Sequence, residues 1–237
     1  MTRTIAVFGA GTGLGSSVAR LFGRDGYRVA LVARDRARLG TLAAELAAEG
    51  IEATAFAADL SRPDEIPALV KEIGPIDVVE YAPIATEGFI PAAELRADTV
   101  RRLLDLHLLS FIEVVHAVLP GMVERGDGAI LLGQGVSATH PRPGMSGPGP
   151  AMAAARNYVL SLHAELKDQG VYAGVLHIGA MVTGSAGYRA MTGGQFDLGI
   201  DISGIPTVDP DDLAAAFRDL MTGRDRAELQ VPETLAF

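Results

Sequence analysis

The sequence predicts an α/β fold, a single domain built on a doubly wound parallel β-sheet with helices on both faces. Three observations carry that prediction. Short β-branched runs alternate with longer amphipathic stretches along the whole chain. No internal repeat, low-complexity tract or linker breaks the alternation. The 237 residues, 49% hydrophobic and 21% charged, are enough for one α/β domain with a large core and too few for a second full one. Strictly alternating β and α units pair as parallel strands, and the crossover helices cover both sheet faces.

The elements follow in order. Thr4 to Phe8 reads as the first strand, and Gly13 to Gly23 as the helix after it. Arg28 to Ala33 and Ala53 to Ala57 read as strands, with a helix from Arg36 to Glu49 between them. A shorter helix around Asp64 to Glu72 leads to the strand Ile76 to Tyr81. A long helix, Asp98 to Glu124, precedes the apolar strand Ala129 to Leu132. Then come a helix from about Pro150 to Asp168, the strand Tyr172 to His177, a helix from Pro210 to Met221 and a last strand near Ala227 to Val231. Pro150 suits a first helical turn, where no backbone N–H is needed. Ligands of such sheets bind beyond the carboxyl ends of the strands, so residues there are the ones to interrogate.

The first strand runs into GAGTGLG, which places Gly9, Gly13 and Gly15 between a strand and a helix. Gly9 permits a tight turn, Gly13 lets backbone N–H groups approach a pyrophosphate, and Gly15 lets the helix pack closely on the sheet. The helix N-terminus then offers unpaired donors and a positive dipole end to an anion. The second strand ends LVARDRARL, where a site for an unphosphorylated ribose would place a carboxylate. Ala33 and Arg34 stand there instead, and an arginine can fork onto a 2′-phosphate. Asp35 complicates this, because it can pair with a neighbouring arginine.

This spacing resembles the short-chain dehydrogenase/reductase family, over nearly the whole chain. Further landmarks are Asp59 in AADLS, matching the acid beside the adenine ring, the long helix from Asp98, and HAEL from His163 to Leu166. HIGAMVT resembles the family's P-G-x-x-x-T segment, with Ile178 in place of the proline. The resemblance implies a Rossmann-type fold over residues 1–237 and NADP(H) as cofactor. It implies cofactor contacts at Gly9, Gly13, Leu14, Gly15, Arg34, Asp59, Leu60, Ala82 and Thr183. The glycine-rich segment 184–205 resembles the substrate-binding flap. A homodimer or homotetramer through the two long central helices is also implied.

Members of that family use a tyrosine acid/base, a lysine four residues later, a serine and an asparagine. Hydride transfer needs such a donor within reach of the developing alkoxide. Matching LHAEL to the family's helix puts Pro148 at the tyrosine and Met152 at the lysine. Matching GAILLGQG puts Gln134 or Gly135 at the serine, and DLHLLS puts His107 at the asparagine. The family's N-N-A-G reads YAPI, Tyr81 to Ile84. No tyrosine is followed four residues later by lysine, and the only lysines, Lys71 and Lys167, fall on predicted surface helices. Met152, Ala155, Val159, Leu162 and Leu166 recur at helical spacing and read as core.

Side chains still able to do chemistry are His107, Ser137 and Tyr188, with Tyr81 and His140 behind them. The chain has no cysteine, which excludes disulfides and thiolate nucleophiles, and its five histidines show no metal-ligand spacing with carboxylates. A net charge of −9 argues against a nucleic-acid partner. No stretch is expected to approach the ~20 apolar residues of a bilayer span, and no signal peptide is legible, so a cytoplasmic location is expected. An NADPH-dependent oxidoreductase with an altered site, acting on a small molecule, is the leading expectation. A non-redox cyclase, isomerase or dehydratase, or a nucleotide-binding scaffold, are the alternatives.

Overall fold

The apolar runs form strands buried on both faces, as crossover topology requires. The computed structural model describes residues 2–85, 90–193 and 205–235. Its strands are β1 (Thr4–Phe8), β2 (Arg28–Ala33), β3 (Ala53–Ala57), β4 (Val78–Tyr81), β5 (Gly128–Gly135), β6 (Val171–Ile178), β7 (Met181–Val182), β8 (Thr207–Val208) and β9 (Glu228–Val231). Seven of them form one parallel sheet in the order β3-β2-β1-β4-β5-β6-β9. The chain winds outward from β1 and then returns to β4 on its other side. The order therefore reverses between β1 and β4, where Phe8 pairs with Tyr81.

The helices are α1 (Leu14–Arg24), α2 (Arg36–Ala48), α3 (Ile66–Ile73), α4 (Ala97–Leu104), α5 (Ser110–Arg125), α6 (Gly149–Leu166), α7 (Ala186–Thr192) and α8 (Pro210–Gly223). Strand periodicity sorts the core into two halves. Phe8, Val79, Ile130, Leu132 and Val175 meet α3, α5 and α6, whereas Val7, Leu31, Leu131 and Leu176 meet α1, α2 and α8. The fold class read from the sequence is the one found.

Two local features were not foreseen. The long helix is one run from α4 into α5, but residues Asp105–Leu109 make a π-turn between them, with His107 buried at its centre. Such insertions add a residue to a turn and gather at functional sites. The second is a separate ribbon in which β7 pairs with β8, with α7 between them in sequence. The run Ala97–Arg125 is also long and apolar enough to cross a membrane, with a mean hydropathy of 1.7 in its most apolar window, contrary to the expectation that no stretch approached that length. Its apolar residues Leu103, Phe111, Val114, Val115, Val118 and Met122 are buried in the domain, while Leu109 and Val123 remain exposed.

Candidate functional site

The glycine turn is built by crowding as much as by conformation. Gly9 and Gly13 have φ of +107° and +116°, where side chains are strained. A Cβ on Gly9 would stand 2.8 Å from the Ala82 carbonyl oxygen, so the turn is pressed against the exit of β4. A Cβ on Gly15 would stand 2.9 Å from the Ala10 Cα, which lets α1 begin close to the turn. The Ser16 hydroxyl donates to the Gly13 carbonyl (2.8 Å) and accepts from its N–H (3.2 Å). Leu14 opens α1, half-buried.

Over this turn lies the segment that resembled a flap. Thr183 donates its N–H to the Val208 carbonyl at 3.0 Å, which fixes the segment to the small ribbon. Ser185 caps α7 by accepting the Tyr188 N–H at 3.0 Å, and its Cβ would be 2.9 Å from a Cβ on Gly13. Arg189 donates to the Thr12 hydroxyl and to the Gly184 carbonyl, both at 2.6 Å. Tyr188 is half-buried on the same short helix. Residues 194–204 of the expected flap lie outside the described residues.

At the end of β2, Arg34 is exposed and Asp35 has a role of its own. The Asp35 carboxylate caps α2 by accepting the Arg38 N–H at 3.0 Å. Asp59 accepts from both the N–H and the hydroxyl of Ser61, at 3.0 and 2.8 Å. Burial works to raise the Asp59 carboxyl, but these bonds and the charges of Arg34 and Arg62 outweigh it and hold the group low. Leu60 is buried in the core beneath, and Ala82 is half-buried between the glycine turn and β4.

The positions matched to the family's serine, tyrosine and lysine lie where β5 ends and α6 begins, whereas His107 is buried in the π-turn before α5. Pro148 is the N-cap of α6, and Gly149 opens the helix. The Ser137 hydroxyl lies 3.8 Å from the Met152 sulfur, and a Cβ on Gly135 would lie 3.7 Å from that hydroxyl and 3.9 Å from that sulfur. Met152 is thus a half-exposed wall of this site. The stripe read as core holds for Ala155, Val159, Leu162 and Leu166 but ends one turn before it. His140 is exposed, with Nδ1 2.9 Å from the Thr139 hydroxyl.

Tyr81 is packed into the core. It is fully buried between Phe8 and Phe111, at centroid distances of 5.9 and 5.0 Å, and its hydroxyl donates to the Leu106 carbonyl at 2.6 Å. Its odd-numbered place on β4 sends it to the α5 face, and burial pushes its phenol up. A π-turn changes which carbonyls its helix can use internally, and this phenol takes up the one at Leu106.

One constellation escaped the sequence reading. On β6, His177 is buried and its Nε2 lies 2.8 Å from Glu228 Oε1 on β9. Arg156 of α6 holds the same carboxylate with two bonds, of 2.5 and 2.7 Å. The bond from Arg156, then that from His177, keeps the Glu228 carboxyl below its ordinary value. Burial pushes the His177 imidazole down, so it is neutral at neutral pH, and Glu228 offsets that only in part. Gln134 pairs in register with His177 and is 4% exposed. Among the described residues, neither amide atom of Gln134 nor His177 Nδ1 has a hydrogen-bond partner. On the opposite sheet face Glu80 is buried without a partner, and burial pushes its carboxyl up to about 8. No local signal pointed to these contacts, because the sheet register makes them.

A parallel sheet of this order, with a glycine turn at its switch point, defines the α/β class in which dinucleotide-binding proteins fall. The chain belongs to the short chain dehydrogenase family, whose pattern matches residues 3–191. It is similar to a short chain dehydrogenase of Pseudocercospora fijiensis, 33% identical over 184 residues, which is 76% of this chain. The match covers 60% of that protein's length, so the chain spans about three-fifths of this relative. A short-chain dehydrogenase from Sphingobium yanoikuyae in complex with NADPH has a TM-score of 0.80 at 27% identity, over 99% of this chain and 89% of that one. A short chain oxidoreductase from Pseudomonas aeruginosa PAO1, described as containing an atypical catalytic center, gives 0.84 at 23% identity over 98% and 97% of the chains. At that identity the likeness is one of fold.

Proposed function

We propose that this protein binds NADP(H) and is an oxidoreductase-related enzyme of small molecules whose site does not perform ordinary carbonyl reduction. The observation that carries the reading is the contrast between two parts of one crevice. The glycine turn keeps two glycines at positive φ, while Pro148 and Met152 are the residues that the family resemblance matches to the tyrosine and the lysine.

The residues present fit the nucleotide. The Gly9–Gly15 turn and the start of α1 would hold the pyrophosphate, and Asp59 with Leu60 would border the adenine. Arg34 is exposed beside that place, and its nearest sequence carboxylate already caps a helix, which favours the 2′-phosphate. Ala82 and Thr183 would border the nicotinamide end. When bound, the cofactor supplies a hydride. The Ser137 hydroxyl, beside Gly135 and Met152, can orient a carbonyl or hydroxyl of a substrate, but a serine alone is a poor donor to an alkoxide. His107 and Tyr188 are the remaining candidates near the crevice. Among the described residues, Gln134 and His177 leave three buried polar atoms without a hydrogen-bond partner, and burying such groups costs about 1–3 kcal/mol each when unmatched.

A second reading, a non-redox cyclase, isomerase or dehydratase, draws on the apolar wall made by Pro148 and Met152. Such a site accelerates a unimolecular reaction by shape and orientation. Calorimetric titration with NADPH, followed by incubation of the complex with a carbonyl panel, separates the readings. Binding without NADPH consumption supports the proposal, and absence of binding removes it.

A further inference from the structure

Arg189 is held by neutral groups, unlike the arginines that pair with acids. Arg20, Arg24, Arg125, Arg156 and Arg224 each meet a carboxylate. Arg189 meets only neutral oxygens, the Thr12 hydroxyl and the Gly184 carbonyl. The guanidinium is exposed, and among the described residues it has no carboxylate partner. Its place is more telling than its company. Thr12 belongs to the glycine turn, immediately before the N-cap Gly13 of α1, where unpaired backbone N–H groups and the helix dipole already favour an anion. A second positive group held at such a point is unfavourable until a negative one joins it. Ser185, packed against Gly13 on the same segment, keeps the start of α7 on the turn and so fixes the reach of Arg189.

We propose that Arg189 is a diphosphate-binding residue, which forks onto the phosphate oxygens of a dinucleotide and fastens α7 over the glycine turn. The inference rests on the nucleotide-binding reading above and adds a contact from the far end of the chain, 177 residues from Thr12. The guanidinium exchanges two neutral acceptors for charged ones, and its planar fork suits two phosphate oxygens at once. Arg34 would recognise the 2′-phosphate and Arg189 the diphosphate, so the two arginines have separable signatures.

The test is equilibrium titration of the wild-type protein, Arg189→Ala, Arg189→Lys and Arg34→Ala with NADPH, NADH and adenosine 2′-monophosphate. Arg189→Ala is expected to weaken NADPH and NADH by the same factor, about tenfold or more, and to leave adenosine 2′-monophosphate unchanged. Arg189→Lys should fall between, having the charge without the fork. Arg34→Ala should weaken NADPH and adenosine 2′-monophosphate while sparing NADH. Unchanged thermal unfolding of the ligand-free Arg189→Ala protein shows that the fold is intact. If the wild type binds NADPH and Arg189→Ala binds it equally well, the clamp is wrong and the nucleotide reading stands. Tighter binding by Arg189→Ala would overturn the clamp too, by showing that the side chain obstructs the site. Failure of the wild type to bind any of the three removes the nucleotide reading and this inference with it.

Discussion

The Ser137 hydroxyl, just beyond the end of β5, stands 3.8 Å from the Met152 sulfur and so faces a thioether. The surroundings still have room for a different chemistry. A Cβ at Gly135 meets nothing closer than 3.7 Å, and the residue sits at an ordinary extended φ of −69°. Pro148→Tyr with Met152→Lys should therefore yield no ketone reduction, because no hydroxyl stands at position 135. Adding Gly135→Ser should give detectable reduction of simple ketones, followed as NADPH absorbance. Met152 is half-exposed, so the lysine is expected to cost little stability. Equal activity of the double and triple variants would refute this assignment of position 135.

Arg34 should discriminate between the two nicotinamide cofactors. A charge-assisted contact to a phosphate is worth ~1.5–3 kcal/mol, more than tenfold in Kd. Arg34→Ala is expected to weaken NADPH by that amount and NADH by much less, measured by calorimetry. Equal losses for both nucleotides would contradict the assignment.

Glu80 makes stability depend on pH. Its folded-state pKa is raised to about 8, above its ordinary 4.5, by burial alone. Between those values the folded chain holds a proton that the unfolded chain has released. Its contribution is complete below the lower value and is lost as pH rises through the upper one, by at most about 1.4 kcal/mol per pH unit. Glu80→Leu should therefore raise the unfolding midpoint, and the gain over wild type should grow from about pH 5 to about pH 8. A gain that is flat across that range would show that Glu80 does not hold its proton when folded.

The outer side of the long helix bears on assembly. Leu109 and Val123 are 42% and 37% exposed on the run Ala97–Arg125. A homodimer or homotetramer through this run and α6 is the expected state, and Leu109→Glu with Val123→Glu should shift it toward monomer. Light scattering of the wild type at 24.7 kDa, at micromolar concentration, would rule that assembly out.

The order of elements was legible because β-branched runs and amphipathic stretches differ in period. Gly9, Gly13 and Gly15 were legible because a close turn between strand and helix leaves few alternatives to glycine. The π-turn at Asp105–Leu109 was not, since one added residue leaves the apolar pattern of a long helix almost unchanged. Tyr81 was read as a strand end, but its burial depended on Phe111 and on the Leu106 carbonyl, 25 residues away. Met152 fitted the helical stripe by spacing, yet in the first turn of α6 it is Ala151 that is buried, and Met152 is left half-exposed beside Ser137. The Arg156–Glu228–His177 array and the Arg189–Thr12 bond join residues 51 to 177 positions apart, beyond any local signal.

Nucleotide binding without the usual proton donor is open to one paired measurement. Wild-type protein is first titrated with NADPH to establish occupancy, and NADPH absorbance is then followed with saturating ketones and aldehydes. Saturable binding with no consumption above the uncatalysed rate is expected. Vigorous consumption, abolished by Tyr188→Phe, His107→Ala or Ser137→Ala, would contradict it and identify the residue to which the acid has moved.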